Sequence, residues 1–193
     1  YKSKWISNKS SREYAHKLRS MSQAILTTAK TVIKDDPRLT IRLKKTLEKH
    51  IPIIIIDNNL KIPIKSKILK DISKKRIIIF TSKKNKKSEN LIKLGCEIIF
   101  CKLNKNKKLN LKNIFSKIYS LKISDLLVEA GGIFFTELLN NNLVDEIHLF
   151  KSKIIIGKHG KPAIVGKKIS QLNLSLNERK KFKDDIYTNY QVN

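Results

Sequence analysis

The chain has 193 residues, with 42 lysines and arginines against 16 aspartates and glutamates, which gives a net charge of +26. This length can bury one sizeable core, and 40% hydrophobic residues with a mean hydropathy of −0.32 are typical of a soluble globular domain. The longest aliphatic run, residues 53–56, is far shorter than the roughly 20 residues of a membrane-spanning helix, and no signal peptide is recognisable, so we expect neither a membrane protein nor a secreted one.

The elements predicted from the apolar pattern alternate along the chain. In order, the pattern predicts a helix at 10–21, a strand at 23–27, helical turns at 28–34, strands at 53–57 and 77–81, a helix at 88–94, a strand at 97–100, a helix at 110–121, a strand at 126–129, a helix at 133–142, a strand at 146–150, and one or two strands within 182–192. Continuous apolar strands that alternate with helices predict a single α/β domain over residues 1–193, with a central, mostly parallel sheet flanked by helices.

The positive charge invites a nucleic-acid interpretation, but its composition argues against one. The chain contains 36 lysines, 6 arginines, 30 isoleucines and 16 asparagines. Lysine, isoleucine and asparagine are encoded by A/T-rich codons, so mutational bias accounts for the lysine excess. The lysines are spread along the chain, few aromatic residues lie among them, and no nucleic-acid-binding motif is present. We therefore expect a solvated lysine surface and no nucleic-acid partner.

The same bias makes the few arginines informative. Where lysine serves equally well it is used, so a retained arginine indicates a need for a planar, bidentate donor. Four of the six arginines, Arg12, Arg19, Arg38 and Arg42, lie within the first 42 residues. This segment is the predicted place for a phosphate or carboxylate.

The two cysteines and four histidines predict no metal site. Cys96 and Cys101 lack a second Cys/His pair to complete a zinc site, and the histidines have no metal-ligand spacing. Two cysteines are also too few for a disulfide framework, so a reducing cytoplasmic location is expected.

The stretch LLVEAGGIFF, residues 126–135, predicts a strand, a turn and a helix start at a ligand site. In parallel sheets ligands bind at the carboxyl ends of the strands, where Glu129 is predicted to lie. Gly131 and Gly132 would allow close approach of a ligand to the backbone, and the helix N-terminus favours an anion. The alternative, an exposed Glu129 followed by a plain turn, remains equally open on the pattern alone. Because no G-x-G-x-x-G is present, an ordinary Rossmann site is disfavoured.

Three stretches together resemble a known family. They are KWIS at residues 4–7, TAKTVIKDDPRLTIR at residues 28–42, and LLVEAGGIFFTELLNNNLVDEIHLF at residues 126–150. They are similar to the reductase domain of the bacterial riboflavin-biosynthesis deaminase/reductase, a member of the dihydrofolate-reductase-like superfamily. The resemblance extends over almost the whole chain and implies the dihydrofolate-reductase-like α/β fold.

The resemblance implies an NADPH-dependent oxidoreductase that acts as a cytoplasmic homodimer. It would reduce the ribosyl side chain of 5-amino-6-(5-phosphoribosylamino)uracil to the ribityl form. The positions that match the family's substrate contacts are Ser3, Arg19, Leu39, Arg42 and Glu129. The positions that match its NADPH contacts are Trp5, Thr31, Asp35, Asn58, Gly131, Gly132, Ile133, Phe134, Phe135, Thr136 and Glu137. No catalytic side chain is singled out.

Two departures from the family pattern leave alternatives open. The family's first strand, of the form Lys-x-Ala-x-Ser-x-Asp-Gly, does not occur from Tyr1 onward, so either it precedes Tyr1 or part of the substrate site is missing. The zinc signature of the deaminase half is absent, so a separate protein is expected to supply the deaminated pyrimidine. The alternatives are a related reductase that acts on the undeaminated pyrimidine or on dihydrofolate, and a non-catalytic RNA-binding relic.

Overall fold

The structure is a computed structural model that describes residues 6–43, 50–157, 160–166 and 169–193. The chain forms two compact units, one of residues 18–131 and one of the residues before 18 together with residues 132–193. The boundary falls within the first helix, α1 (Lys9–Met21). Among the described residues, no helix is both long enough and apolar enough to span a bilayer.

The unit of residues 18–131 is built on a five-stranded parallel sheet. Its strands are β1 (Ala24–Thr28), β2 (Ile53–Ile56), β3 (Ile77–Thr81), β4 (Glu97–Phe100) and β5 (Leu126–Val128). Their order across the sheet is β4-β3-β2-β1-β5, and every neighbouring pair is parallel. Its helices are α2 (Ala29–Asp35), α3 (Lys86–Lys93) and α4 (Leu111–Ser120). The predicted mostly parallel sheet with flanking helices is confirmed.

The aliphatic strands form the core of this unit because both of their faces are covered. Ile55 of β2 and Ile79 of β3 are fully buried and pack with Val32 of α2 and Leu91 of α3 in one cluster. Burial of such side chains stabilises the fold by about 1.5–3 kcal/mol each. The strand ends are therefore held rigidly, which fixes the polar residues that follow them.

The helix ends follow the capping chemistry that the sequence indicates. At the start of α2 the Thr28 hydroxyl accepts a hydrogen bond from the amide of Thr31 at 3.4 Å. The helix ends at Asp36, which adopts a left-handed conformation (φ 40°) before Pro37. Gly95, the predicted cap of α3, has φ 104° and follows Leu94, the C-cap residue of the helix.

Besides the first part of α1, the second unit contains a three-stranded antiparallel sheet and the helix α5. These elements are α5 (Gly132–Asn140), β6 (Glu146–Lys151), β7 (Leu174–Phe182) and β8 (Asp185–Val192). The strand order is β6-β8-β7. The prediction of strands within residues 182–192 is wrong about their start, because β7 already ends at Phe182. β7 escaped prediction because most of its side chains are exposed and polar, as on an edge strand.

One face of this sheet carries a cluster of aromatic rings. Tyr14 of α1 lies edge-on to Tyr187 with 4.7 Å between ring centroids, and Phe150 and Phe182 each have a centroid 5.0 Å from one of these two rings. His148 stacks on Tyr187, and its Nδ1 lies 2.8 Å from the tyrosine hydroxyl. Burial raises the pKa of Tyr187, so this phenol stays protonated and available as a donor.

Asp185 joins the start of α1 to β8 through a buried carboxylate. It is 2% exposed and accepts hydrogen bonds from the amide of Asn8 and the hydroxyl of Ser11, both at 2.7 Å. Burial opposes ionisation, but the hydrogen bonds from Ser11, Asn8 and Ser152 and the charge of Arg12 outweigh it. The pKa of Asp185 therefore lies below its ordinary value.

We expect Asp185→Asn to lower the free energy of unfolding at pH 7 by about 1.5 kcal/mol, since the hydrogen bonds of Asn8 and Ser11 lose their charged acceptor. A carboxyl group with a depressed pKa stabilises the fold above its unfolded-state pKa, and this contribution disappears as the pH falls through the folded-state pKa. The difference between the two proteins should therefore shrink below about pH 4. Urea unfolding at pH 7 and below about pH 4 measures this difference in stability. The neighbouring Asp184→Asn, at an exposed ion pair with Lys153, is the control and should change little. Equal effects of the two substitutions would contradict the buried role.

Candidate active site

Polar residues follow the buried strands at one edge of the parallel sheet. Asn58 comes two residues after β2, Ser82 follows β3, and Glu129 follows β5. The carboxyl ends of parallel strands lie at the same edge, so these residues border it together. This is the edge at which the sequence predicted a ligand.

Glu129 is fixed at this edge by its backbone and by an arginine. Its amide donates to the carbonyl of Leu26 at 2.8 Å, and its carbonyl accepts from the hydroxyl of Thr27 at 2.8 Å, which continues the pairing with β1. Its side chain forms a two-pronged ion pair with Arg19, with Nε to Oε1 at 2.5 Å and Nη2 to Oε2 at 2.8 Å. Glu129 is therefore not an unconstrained surface carboxylate.

The ion pair is partly shielded from solvent and is anchored on both sides. The side chains of Arg19 and Glu129 are 16% and 30% exposed. Arg19 Nη1 also donates to the carbonyl of Thr40 at 2.9 Å. Paired planar groups of this kind are among the strongest charge-assisted hydrogen bonds, and lysine cannot reproduce their geometry. Arg19 thus makes a two-pronged contact that suits a retained arginine, but its partner is a carboxylate of the chain itself, and its contact with substrate stays a prediction.

The other predicted substrate residues are arranged differently. Leu39 has a left-handed backbone (φ 50°), and its side chain is 7% exposed and packs into the core. Arg42 is exposed, just after the buried Ile41. Ser3, like Trp5 of the predicted cofactor set, lies outside the described residues.

Two predicted cofactor residues lie on α2. Thr31 is half-buried in the first turn, with its hydroxyl 3.2 Å from that of Thr28. Asp35 is exposed at the last position of the helix. The Thr31 hydroxyl is therefore oriented within the helix cap, whereas the carboxylate of Asp35 is open to solvent.

Asn58 has a more specific environment than its pattern suggested. Its side-chain Nδ2 donates to the carbonyl of Lys107 at 3.1 Å, and its backbone carbonyl accepts from Ser82 Oγ at 2.9 Å. Its Oδ1 is buried, yet it accepts no hydrogen bond within the described part of the chain. A buried acceptor of this kind costs free energy unless a partner reaches it. Sequence reasoning missed Ser82 and Lys107, since neither carries a motif.

The two glycines after Glu129 differ in their surroundings. A Cβ atom on Gly131 would meet nothing within 4 Å, whereas one on Gly132 would lie 2.5 Å from the carbonyl oxygen of Pro162 and 2.7 Å from that of Ala163. The close approach at Gly132 is therefore to the chain's own backbone. The hydroxyl of Thr136 supports the same contact, since it donates to the Gly132 carbonyl and accepts from the amide of Val165, both at 2.8 Å.

The remaining residues of this predicted cofactor stretch lie on α5. Ile133 is 60% exposed, and Phe134, Phe135 and Glu137 are half-buried. Phe135 packs beside the small core of the antiparallel unit. Its side chain is thus occupied with packing, while Ile133 presents an apolar side chain to solvent.

Comparison with known proteins places the chain in a family. Residues 1–188 match the family described as "RibD C-terminal domain". The chain is 38% identical over 179 residues to "Riboflavin biosynthesis protein RibD" of Aquifex aeolicus (strain VF5), which covers 93% of the chain and 48% of that protein. It is 28% identical over 177 residues to "5-amino-6-(5-phosphoribosylamino)uracil reductase" of Buchnera aphidicola subsp. Acyrthosiphon pisum (strain APS), covering 83% of the chain and 80% of the relative.

Among solved structures, RibD of Acinetobacter baumannii superposes with a TM-score of 0.83 at 21% identity, over 100% of the chain and 52% of that protein. This similarity establishes the fold. The chain spans about half the length of the first curated relatives that it matches. Family match and sequence identity agree, and the chain belongs to the RibD C-terminal domain family.

Proposed function

We propose that the chain is an NADPH-dependent reductase that converts the ribosyl side chain of 5-amino-6-(5-phosphoribosylamino)uracil to the ribityl form. One observation carries the proposal. Glu129 and Arg19, two positions that match the family's substrate contacts, form a two-pronged, partly shielded ion pair at the carboxyl edge of the sheet. The named activity of the Buchnera relative, which aligns along 83% of the chain, supports the substrate class.

The chain's own residues suit a reaction that depends on positioning. When bound, the nicotinamide cofactor supplies a hydride to C1′ of the opened sugar. Glu129, held by Arg19, offers carboxylate oxygens that can accept hydrogen bonds from substrate hydroxyl or ring N–H groups. Such a preorganised acceptor orients the substrate without a covalent nucleophile. Leu39 and Arg42 would complete the substrate contacts, with Arg42 close to the 5′-phosphate.

The carboxyl edge of the sheet also fits a phosphorylated cofactor. The buried Oδ1 of Asn58 can accept a donor from a ribose or a base. Lys83 and Lys84, exposed directly after β3, can face the 2′-phosphate. Asn85 already accepts hydrogen bonds from the first amides of α3, at 3.1 Å from Lys87 N, so side chains rather than the helix end must neutralise the phosphate. We infer NADPH rather than NADH.

The remaining cofactor contacts are proposed at Thr31 and Asp35 on α2 and at the stretch that starts at Gly131. Gly131 itself suits a close approach, because the space beside its Cα is open. The homodimer and the separate deaminase stay predictions, as does the extent of the domain.

The proposal is tested by turnover of the purified chain with each cofactor and each pyrimidine. We expect NADPH oxidation with the deaminated substrate, formation of the ribityl product, and much slower turnover with NADH. Faster reduction of the undeaminated pyrimidine would identify that compound as the substrate and would place the reduction before the deamination. Absence of NADPH binding, measured by fluorescence, would refute a reductase and favour the non-catalytic alternative.

We expect Arg42→Lys to raise KM for the phosphorylated substrate about tenfold, because lysine loses the two-pronged contact to phosphate. NADPH affinity and thermal stability should stay nearly unchanged. Steady-state kinetics and thermal unfolding measure these quantities. Arg38→Lys, at an equally exposed position, is the control. Arg12 would be a poor control, since it donates to the carbonyl of Ser7 and faces Asp185. If Arg42→Lys and Arg38→Lys behave alike, Arg42 does not bind phosphate.

A further inference from the structure

Three segments that follow neighbouring strands meet at Asn58. The segment after β2 contains Asn58 itself, whose carbonyl accepts from the amide of Ser82, after β3, at 3.3 Å and from its hydroxyl at 2.9 Å. Asn58 Nδ2 donates to the carbonyl of Lys107, which lies in the loop after β4, at 3.1 Å. The amide of Cys101 also donates to the carbonyl of Thr81 at 2.8 Å, so this loop starts against the end of β3. One asparagine therefore ties the loops of three adjacent strands together.

The loop after β4 is an ordered hairpin. Leu103 and Leu109 form an antiparallel bridge at its base. Inside it, the side chain of Asn104 accepts from the amides of Asn106 at 3.0 Å and Lys108 at 2.9 Å, and its own amide donates to the Lys108 carbonyl at 2.7 Å. We call residues 103–109 the basic hairpin. Because its backbone is held by these bonds, its side chains project from a fixed base.

The two loops beside Asn58 are more basic than the rest of the chain. In residues 82–85 and 101–110, six of the fourteen residues are lysines, against 36 of 193 overall, and neither segment contains an acidic residue. Lys105, Lys107 and Lys108 at the tip of the basic hairpin are exposed, as are Lys83 and Lys84, which follow Ser82. The nearest buried carboxylate, Asp57, is satisfied by the amides of residues 61 and 62. The lysine content of these loops is more than twice the average of the chain.

We propose that the basic hairpin, held by Asn58, is a phosphate-binding element that selects the 2′-phosphate of the cofactor. The inference rests on the proposed nicotinamide-dependent function and extends it to residues that no motif indicates. Lysines act on phosphate as flexible point charges, so a fixed backbone that gathers several of them supplies the affinity. Asn58 is then a positioning residue that sets the place of the basic hairpin.

The test compares two triple variants that lose the same charge. In the first, Lys105, Lys107 and Lys108 are replaced by glutamine. In the control, Lys74, Lys93 and Lys122 are replaced by glutamine; these exposed lysines precede β3, β4 and β5 and thus lie at the amino edge of the sheet. The probes are adenosine 2′,5′-bisphosphate, adenosine 5′-monophosphate, NADPH and NADH, with affinities measured by calorimetry.

We expect the hairpin variant to bind adenosine 2′,5′-bisphosphate and NADPH about tenfold or more weakly, since charge-assisted contacts to phosphate are lost. Its affinity for the monophosphate and NADH should change less than about twofold, as should every affinity of the control variant. Equal losses for all four probes, or equal losses in both triple variants, would overturn the proposal, because the lysines would then act only through net charge.

A second variant tests the anchor. Asn58→Ala should weaken NADPH more than NADH and speed hydrogen exchange at the amides of Lys107 and Lys108. A loss of NADPH affinity with unchanged exchange would overturn the anchoring role. Selective binding of the bisphosphate by a chain that reduces no pyrimidine would support the basic hairpin and refute the proposed reductase. If the chain is an active reductase but its affinity for the bisphosphate does not depend on the lysines of the basic hairpin, only the phosphate-binding role of the basic hairpin is refuted.

Discussion

Replacing Glu129 by glutamine is expected to lower kcat/KM for the pyrimidine substrate by roughly 10- to 150-fold, which corresponds to a loss of about 1.5–3 kcal/mol in transition-state binding. Glutamine keeps the size of the side chain but removes the charge, so it weakens both the pair with Arg19 and the hydrogen bonds offered to substrate. The fold should persist, since the backbone of Glu129 is held independently by Leu26 and Thr27. Steady-state kinetics and urea unfolding measure the two effects separately.

The chain offers a matched control for this substitution. Arg76 and Glu97 form the same two-pronged pair, with distances of 2.7 and 3.0 Å, but their side chains are 41% and 46% exposed. Glu97 is also the first residue of β4 and therefore lies away from the carboxyl edge. Glu97→Gln should leave kcat/KM unchanged and cost about 0.5 kcal/mol or less in stability. Unchanged activity in Glu129→Gln as well would reduce Glu129 to a structural ion pair.

Arg19→Lys probes the same site from the other partner. Lysine keeps the charge but cannot hold both carboxylate oxygens of Glu129 and the Thr40 carbonyl at once. The carboxylate would then sample several orientations. This explains in physical terms why an arginine is retained here although lysine predominates elsewhere in the chain.

The parallel sheet could be predicted because its strands appear in the sequence as continuous aliphatic runs. In residues 53–56 four isoleucines follow one another, a pattern typical of a strand covered on both faces. The edge strand β7 has no such pattern. Its side chains alternate weakly and are mostly exposed, and its pairing with β8 is shifted at Leu176 and Glu178. Its position depends on its partner strand, which local sequence does not encode.

In the candidate site, too, single residues could be predicted from local sequence, whereas their partners could not. Sequence singled out Arg19, Glu129 and Asn58 one by one, the first from composition and the other two from resemblance or strand ends. It could not pair Arg19 with Glu129 or Asn58 with Lys107, because these contacts join residues 110 and 49 positions apart. Only the sheet order, with β1 between β2 and β5, brings the first pair together. Long-range partners are fixed by topology, whereas single residues carry local signals.

The second large effect is expected at Gly132, where alanine should lower the free energy of unfolding by about 2 kcal/mol or more. Steric contacts decide whether the substitution raises or lowers the free energy of unfolding. In a helix alanine is favoured over glycine by about 1 kcal/mol, so a substitution at the start of α5 would stabilise the protein if space allowed. A Cβ atom would instead lie 2.5 Å from the Pro162 carbonyl oxygen and 2.7 Å from that of Ala163, both of them backbone atoms.

Relief of this clash requires the segment at Pro162 and Ala163 to move away from α5, which strains the hydrogen bond from Val165 to Thr136. Gly131→Ala is the matched control, because its added methyl group meets nothing within 4 Å. Urea unfolding should therefore separate two identical substitutions at adjacent glycines, with Gly131→Ala within about 0.5 kcal/mol of the parent. If Gly131 also borders the cofactor, its alanine variant should weaken NADPH binding while stability is unchanged. If the Gly132→Ala protein is as stable as the parent, residues 162–163 move away from the added methyl group at no cost in free energy. Packing would then not require a glycine at position 132.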